Sequence, residues 1–282
     1  MKTPKELKEL ATQHYDHNKK SVLTDTICQL QTAQENNKKI VLVYQMGKVG
    51  STTYTSSLEK LQSLEVFHIH RLKHQSNQSM IKYLLSLGHA DLALKEFRWQ
   101  VISQYINQHK PQLYIISAMR NPIARNMSAF FQNKSLGNLK NERDIELLIE
   151  GYLSKYNHDL PITWFDEQFN DALGINILDY PFNKQKGWVT FRQHNIHCLL
   201  MTAEAKDSEK ASAINAFLDT SLSRLLRKNS GESKDYAFLY KSFKGKINLP
   251  ASYINAQLNN KVVRHFYTHN QIQEFKCQWR QS

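Results

Sequence analysis

The sequence predicts an α/β protein: a three-layer sandwich with a central, mostly parallel sheet and a mainly helical C-terminal part. Short apolar runs alternate with longer stretches of helical pattern between residues 39 and 205, which is typical of strand–helix–strand units. The chain contains no repeat, no low-complexity segment and no linker rich in Gly, Ser or Pro. We therefore expect one domain over 1–282, with a helical lead-in at 1–38, a cofactor-binding α/β core at 39–205 and mostly helix at 206–282.

Local patterns place the individual strands and helices. The run KIVLVY at 39–44 and the run QLYIIS at 112–117 are typical of buried parallel strands. A helix should end at His109, before Pro111, and Pro122 is suited to the first turn of the next helix. We expect strands at 39–44, 65–69, 112–117, 187–191 and 195–202. We expect helices at 21–36, 51–62, 91–109, 122–133, 143–156 and 161–173.

Composition excludes several classes of protein. With 282 residues, of which 41% are hydrophobic, the chain can bury a substantial core. Its apolar runs are far shorter than the roughly 20 residues of a membrane span, and the N-terminal stretch has no signal-peptide core. The widely spaced Cys28, Cys198 and Cys277 form neither a disulfide framework nor a cysteine zinc motif. We expect a cytoplasmic protein.

The net charge of +12 predicts an anionic partner. Nucleic acid, a membrane surface, a polyanionic cofactor and an acidic glycan all fit this charge, as does a basic surface that only aids solubility. Because the basic residues are spread along the chain without an arginine-rich block, charge alone selects no function.

The stretch QMGKVGSTT at 45–53 joins the first predicted strand to a helix. Gly47 and Gly50 let the backbone turn tightly and approach a ligand closely. The N–H groups and hydroxyls at a helix start can surround an anion, and Lys48 adds positive charge. The candidate anion-binding residues are Lys48, Val49, Gly50, Ser51, Thr52 and Thr53. The alternative is a plain helix start with Ser51 as its N-cap and Lys48 in solvent.

This loop differs from the loop of ATP- and GTP-binding enzymes. That motif, G-x-x-x-x-G-K-[ST], places its lysine after the second glycine, whereas Lys48 precedes Gly50 and position 43 is Val. The strand at 112–117 also lacks a terminal Asp for magnesium. A kinase is therefore the weaker interpretation.

A second anion-binding segment, ISAMRNPIARNMSAFF, follows the third strand at 116–131. Arg120 can make charge-assisted bonds to a phosphate, and Ser128 lies eight residues later on the next helix. Together with the loop at 45–53, this segment resembles sulfotransferases that use 3′-phosphoadenosine 5′-phosphosulfate (PAPS). The resemblance implies that the first loop holds the 5′-phosphosulfate and that Arg120 and Ser128 hold the 3′-phosphate. A salt bridge and a helix–sheet contact are the respective alternatives, and Arg125 could equally be a surface ion-pair partner.

His68 and His70 stand two residues apart at the end of the second predicted strand, hence on one face of it. Sulfuryl transfer needs a base for the proton of the acceptor hydroxyl, and histidine suits that role near neutral pH. The stretch resembles glycan sulfotransferases with a histidine base in this region, which implies His70 as the base and His68 as its support. The alternatives are simple packing, or a metal site with His194 or His197 that lacks further ligands.

Two later segments extend the resemblance to about residues 39–279. The stretches ITWFDEQFNDALGINILDYPFNKQKGW at 162–188 and HFYTHNQIQEFKCQW at 265–279 resemble bacterial sulfotransferase-like proteins grouped as capsular polysaccharide synthesis proteins. The aromatic residues at 164–169 are most simply a buried helix face. Asp166 and Glu167 are alternative bases.

The segment NSGESKDY at 229–236 stands where sulfotransferases carry a late cofactor-binding segment. The resemblance implies Lys234 and Tyr236 as further cofactor contacts, although the R-K-G form of the family is absent. It also implies a place for Tyr54 beside the adenine.

The sequence thus predicts a PAPS-dependent sulfotransferase. His70 would deprotonate a hydroxyl, and Lys48 would neutralise charge on the bridging oxygen. The resemblance implies a sugar acceptor on a glycan or glycolipid precursor. This scheme requires no metal, we expect no nucleic-acid partner and no integral membrane segment, and the oligomeric state stays open. The alternatives are a nucleotide or sugar kinase and a non-catalytic basic protein that binds glycan or nucleic acid on a degenerate sulfotransferase fold.

Overall fold

The computed structural model describes residues 3–132, 142–226 and 237–279. Five strands form one sheet: β1 (Lys39–Tyr44), β2 (Leu64–Ile69), β3 (Leu113–Met119), β4 (Trp188–Gln193) and β5 (Ile196–Thr202). Their order across the sheet is β2-β1-β3-β5-β4. The first three strands and β5 are parallel, and β4 pairs antiparallel with β5. The predicted α/β class with a mostly parallel sheet is confirmed.

The helices surround this sheet. In chain order they are α1 (Pro4–Glu35), α2 (Ser51–Leu58), α3 (His74–Ser86), α4 (Ala90–His109), α5 (Pro122–Gln132), α6 (Glu142–Lys155), α7 (Leu160–Phe165), α8 (Asp171–Leu173), α9 (Asp207–Leu218), α10 (Ala237–Lys246), α11 (Ala251–Leu258), α12 (Lys261–Phe266) and α13 (His269–Trp279). A π-helical turn, Asp166–Asn170, joins α7 to α8. The predicted helix at 161–173 is therefore interrupted.

Helix α3 is absent from the sequence prediction. Its first half, HQSNQS, is polar, and only Asn77 and Ile81 of the whole helix are buried. The helix forms because it packs against α4, a tertiary contact that local periodicity does not reveal. The predicted lead-in and the helix at 21–36 are one continuous helix, α1, which begins with a capping box between Thr3 and Glu6.

Helices cover both faces of the sheet. Adjacent residues of a strand point to opposite faces, whereas partners in register point to the same face. Leu42 pairs with Phe67, whose ring lies under Arg98 of α4. The preceding residue, Val41, pairs with Tyr114, whose ring packs against Phe217 of α9. Helices α4 and α9 therefore form the outer layers of a sandwich.

Strand β1 lies between β2 and β3, so the connections from β1 to β2 and from β2 to β3 cross the sheet in opposite directions. Such a reversal opens a crevice at the carboxyl ends of the strands, where ligands of open α/β sheets bind. The segments that follow β1, β2, β3 and β5 all reach this edge. No helix in the described ranges is long and apolar enough to cross a membrane.

Candidate functional site

The loop after β1 is a tight turn that leads into α2. Lys48 and Gly50 both have left-handed backbones, with φ angles of 74° and 93°. The carbonyl of Gly50 accepts the first helical hydrogen bonds, from the N–H groups of Thr53 and Tyr54. Gly50 has no side chain that could cap the helix, so the N–H groups of the first turn face the crevice without a side-chain partner from the cap.

Two arginines join this turn to the segment after β3. The Nη1 group of Arg120 donates a hydrogen bond to the carbonyl of Lys48 over 2.9 Å. The Nε group of Arg125 donates to the carbonyl of Gly47 over 3.1 Å. The two predicted anion-binding segments, some 70 residues apart in sequence, therefore form one structure.

Asn121 and Pro122 explain why α5 starts where it does. The Asn121 side chain accepts hydrogen bonds from the N–H groups of Ile123 and Ala124, and Pro122 occupies the first helical turn. The N–H of Asn121 itself donates to Glu204 over 2.8 Å. Glu204 follows β5 and fixes the backbone beside Arg120.

A cavity of about 550 Å³ lies over these loops. Its lining residues come from the turns after β1, β3 and β5 and from the last helix: Lys48, Val49, Gly50, Thr53, Tyr54, Arg120, Asn121, Ala124, Ala203, Glu204, Asp207, Lys210, Phe275 and Gln278. A second cavity, of about 780 Å³, contains Lys60 and Arg224 and shares Asp207 with the first. The two cavities thus meet at Asp207.

Within the part of the chain that the structure describes, both arginines are hydrogen-bonded to neutral groups. No carboxylate of the described residues forms an ion pair with Arg120 or Arg125. Arg125 is only 5% exposed and is hydrogen-bonded to neutral groups, including Asn126 and Tyr156. Burial, and then the nearby Arg120, lower the pKa of its guanidinium. A buried cation without a counter-ion is costly, and a bound anion would supply the missing charge.

The carboxylates of the cavity have partners of their own. Glu204 accepts from the Tyr267 hydroxyl over 2.7 Å as well as from Asn121. Asp207 forms an ion pair of 3.0 Å with Lys210. Of the two arginines, Arg120 lines the cavity and can meet an anionic ligand there.

His70 faces the same turn from the end of β2. Its Nδ1–H donates to the carbonyl of Gln45 over 2.5 Å, so Nε2 is the unprotonated nitrogen in the neutral ring. A Cβ atom built on Gly47 would lie 3.9 Å from Nε2. The unprotonated nitrogen of the base candidate therefore lies beside the turn that Arg120 and Arg125 hold.

Burial controls the ionisation of both histidines. Desolvation, the neighbouring His68 and the positive charge of Lys95 lower the pKa of His70 to about 3, against the hydrogen bond to Gln45, which raises it. Desolvation and then Lys95 lower the pKa of His68 to about 4. The two rings lie 4.6 Å apart in an edge-to-face arrangement. Both are neutral at physiological pH, which a general base requires.

The remaining predicted residues lie at different distances from this cavity. Lys48, Val49, Gly50 and Thr53 line it, whereas Ser51 is buried and Thr52 is exposed. Ser128 is half-buried, one helical turn beyond the cavity residue Ala124. Lys234 and Tyr236 lie outside the described residues.

The structure also places the residues of three alternatives that the sequence left open: a histidine metal site, an acidic base and a surface ion pair of Arg125. His194 lies in the β4–β5 turn and His197 near the start of β5, at the opposite end of the parallel strands from His70. In the ranges that the structure describes, no group of His, Cys, Asp or Glu side chains could hold a metal ion. Asp166 forms an ion pair of 3.0 Å with Lys261, and Arg125 is buried instead of lying in a surface ion pair.

Sequence reasoning missed Asn121, Glu204 and Tyr267. Glu204 had a usable signal, since it follows the strand β5 and the carboxyl ends of parallel strands meet at one edge. Tyr267 had none, because its approach to Glu204 depends on the packing of the C-terminal helices.

Residues 138–268 match the model of a protein family described as "Putative capsular polysaccharide synthesis protein". No curated protein and no solved structure matches the chain. The matched region contains Trp164, Glu204 and Tyr267, but it excludes the turn after β1, His70 and Arg120. The match covers less than half of the chain.

Proposed function

We propose that this protein is a PAPS-dependent sulfotransferase that transfers a sulfuryl group to a sugar hydroxyl. The observation that carries the proposal is the meeting of three segments at Gly47 and Lys48. Arg120 and Arg125 donate to the carbonyls of this turn, and Nε2 of His70 faces it. An anion site and a base thus share one turn.

The residues present fit a cofactor with several negative charges. Arg120 and Arg125 carry charge without an ion-pair partner among the described residues. The cavity of about 550 Å³ has the size of a small-molecule site. The strand–turn–helix after β1 would hold the 5′-phosphosulfate at the start of α2, and Arg120 and Ser128 would hold the 3′-phosphate. PAPS would supply the sulfuryl group and leave as adenosine 3′,5′-bisphosphate.

His70 performs the proton transfer in this scheme. The hydrogen bond from Nδ1–H to Gln45 fixes the tautomer and leaves the lone pair of Nε2 for the proton of the acceptor hydroxyl. A pKa of about 3 makes the ring a weak base in the protein alone. A bound anion near the turn raises the pKa of His70, because negative charge stabilises the imidazolium. The base therefore becomes effective when the anion site is filled.

In this scheme Lys48 and the arginines stabilise the negative charge of the transition state. Lys48 belongs to the turn itself, and its left-handed backbone is fixed by the hydrogen bond from Arg120. Positive charge held in place before the reaction stabilises negative charge that develops on a departing oxygen. The match to a polysaccharide synthesis family supports a sugar hydroxyl as the acceptor.

A thermal-shift experiment tests the cofactor. We expect adenosine 3′,5′-bisphosphate to raise the melting temperature more than AMP or ADP does, because only the first carries a 3′-phosphate for Arg120. Arg120→Ala should abolish this difference. Arg192→Ala is the control, since Arg192 also donates to a backbone carbonyl but lies near the β4–β5 turn. Equal shifts for all three nucleotides, or an unchanged difference in Arg120→Ala, would refute the assignment.

A transfer assay tests the reaction. The protein is incubated with PAPS labelled in its sulfuryl group and with a panel of neutral and acidic oligosaccharides. We expect label on a sugar acceptor, and loss of this transfer in His70→Asn, whose side-chain amide can still donate to Gln45. Transfer of phosphate from ATP with magnesium, without use of PAPS, would establish a kinase instead.

A further inference from the structure

The segment 68–73, which carries His70, forms hydrogen bonds with side chains of two helical regions. On one side stands α4, whose residues Glu96, Trp99 and Ser103 lie three and four positions apart, hence on one helix face. The indole N–H of Trp99 donates to the carbonyl of His68 over 2.9 Å. The hydroxyl of Ser103 donates to the carbonyl of Leu72 over 2.7 Å.

The other side is formed by α7 and the π-helical turn. The indole N–H of Trp164 donates to the carbonyl of His70 itself over 3.1 Å. The side-chain oxygen of Gln168 accepts from the N–H groups of Leu72 and Lys73, over 2.9 and 3.3 Å. Trp164 belongs to α7 and Gln168 to the π-helical turn, and both reach the segment that follows β2.

The side-chain oxygen of Gln168 lies within hydrogen-bond distance of three donors. Besides the two backbone N–H groups, the hydroxyl of Tyr44 reaches the same oxygen over 3.0 Å, and it also reaches the Gln168 carbonyl over 2.8 Å. Gln168 and Trp164 are each only 2% exposed. Because Tyr44 ends β1 and Leu72 follows β2, this one amide ties the two strand ends that carry the turn and the base.

We propose that Trp164 and Gln168 are positioning residues that set the distance between Nε2 of His70 and the Gly47 turn. The inference rests on the proposed function for its catalytic meaning. It changes the interpretation of the aromatic stretch at 164–169, which the sequence presents as core alone. The hydrogen bond from Trp164 reaches the backbone of the base, so its loss lets His70 shift while the packing of the ring remains.

Substitutions that keep shape separate positioning from packing. Trp164→Phe removes the N–H but keeps an aromatic ring, and Gln168→Met removes the acceptor but keeps the chain length. Gln168→Glu restores an acceptor oxygen for the three donors. Trp188→Phe, on the edge strand β4, is the matched control. Far-ultraviolet circular dichroism establishes that each variant is folded.

Turnover with labelled PAPS gives the first measurement. We expect kcat to fall about tenfold in Trp164→Phe and up to about 100-fold in Gln168→Met, because a misplaced base loses its geometry. The KM for PAPS should stay within about twofold, since neither side chain touches the cavity. Gln168→Glu should recover most of kcat. An unchanged kcat in Gln168→Met, or no recovery in Gln168→Glu, would overturn the proposal.

The ring of His70 gives a second measurement that needs no activity. Nitrogen-15 chemical shifts of labelled histidine report which ring nitrogen carries the proton. We expect a single Nδ1–H tautomer for His70 in the wild type and tautomer averaging in Gln168→Met. A fixed tautomer in Gln168→Met would overturn the positioning role. A protein without transfer activity would refute the proposed function, yet this measurement would still decide the role of Gln168.

Discussion

The Nδ1–H group of His70 and the carbonyl of Gln45 form a hydrogen bond of 2.5 Å between the ends of β2 and β1. The two strands are paired up to Tyr44 and Ile69, so these residues are the first beyond the sheet on each strand. The sheet register therefore fixes the ring, and Nε2 lies close to Gly47. The candidate base and the candidate anion site are thus held together by strand pairing.

Gly47→Ala should separate activity from stability. Its new Cβ atom would lie 3.9 Å from Nε2 of His70, an ordinary contact, so the fold accepts it. The methyl group would nevertheless occupy the space between the base and the turn. We expect transfer to fall at least about tenfold, while the free energy of unfolding stays equal or rises by up to about 1 kcal/mol.

Gly50→Ala is the comparison for this variant. The φ angle of Gly50 is 93°, a left-handed backbone that costs an alanine about 1–2 kcal/mol. Urea unfolding should therefore show a loss of stability in Gly50→Ala and none in Gly47→Ala. Wild-type transfer rates in Gly47→Ala would contradict the placement of the acceptor between His70 and the turn.

Stability should fall in mild acid because of the buried histidines. In the unfolded chain His70 binds a proton near its ordinary pKa of 6.5, whereas in the folded protein its pKa is about 3. Between these values the unfolded state holds more protons, so stability decreases as the pH falls from 6.5. The loss is at most about 1.4 kcal/mol per pH unit for each such histidine. His68, with a pKa of about 4, acts in the same direction.

The protonation of Glu96 should oppose this loss of stability in acid. Burial raises the pKa of its carboxyl to about 7, against the nearby charges of Arg71 and Lys95 and its hydrogen bond to Arg71, which lower it. The folded state therefore gains a proton before the unfolded state does, which adds stability as the pH falls from 7. Urea unfolding at pH 7 and pH 5 should show a smaller acid loss in His70→Asn than in the wild type, and a larger one in Glu96→Gln. Equal losses in all three proteins would show that these groups do not control acid stability.

The fold was predictable where local sequence decides it. β1 and β3 are apolar runs because parallel strands are covered on both faces, and this pattern is visible in KIVLVY and QLYIIS. Helix α3 was not predictable, since its polar first half is helical only against α4. The π-helical turn at Asp166–Asn170 also escapes prediction, because its sequence, DEQFN, contains no Gly or Pro that would mark a break in the helix.

Part of the candidate site was likewise predictable from the sequence, and part was not. Glycines, a lysine and hydroxyls at a strand–helix turn indicate an anion site because few other roles need that combination. The burial of Arg125 could not be predicted, since its hydrogen bonds to Gly47 and Tyr156 join residues far apart in sequence. The same holds for Trp164, whose N–H contact with the His70 carbonyl appears only once α7 packs against the end of β2.

Arg125→Met should weaken anion binding without weakening the fold. The variant loses hydrogen bonds to Gly47, Asn126 and Tyr156, but it also removes a buried cation that has no ion pair among the described residues. These effects oppose each other, so we expect the unfolding free energy to change by less than about 1 kcal/mol. The stabilisation by adenosine 3′,5′-bisphosphate should fall at least by half, which thermal shift measures.

Arg98→Met is the control for this experiment. Arg98 also donates to a neutral partner, Gln29, but it lies between α4 and α1, away from the cavity. It should leave the stabilisation by the nucleotide unchanged. If Arg125→Met binds the nucleotide as the wild type does, the buried charge serves the fold alone.

The pair of Glu204 and Tyr267 should couple the C-terminal helices to Arg120. The Tyr267 hydroxyl is buried and donates to Glu204 over 2.7 Å, while Glu204 holds the N–H of Asn121, the neighbour of Arg120. Tyr267→Phe leaves one carboxylate oxygen without its donor, which should cost about 1.5–3 kcal/mol. Glu204→Gln and the double variant complete a cycle, in which we expect a coupling energy above about 1 kcal/mol. Nucleotide stabilisation should fall in Tyr267→Phe because the backbone beside Arg120 is less firmly held; additive stability losses and unchanged nucleotide binding would show that the two residues act independently of the site.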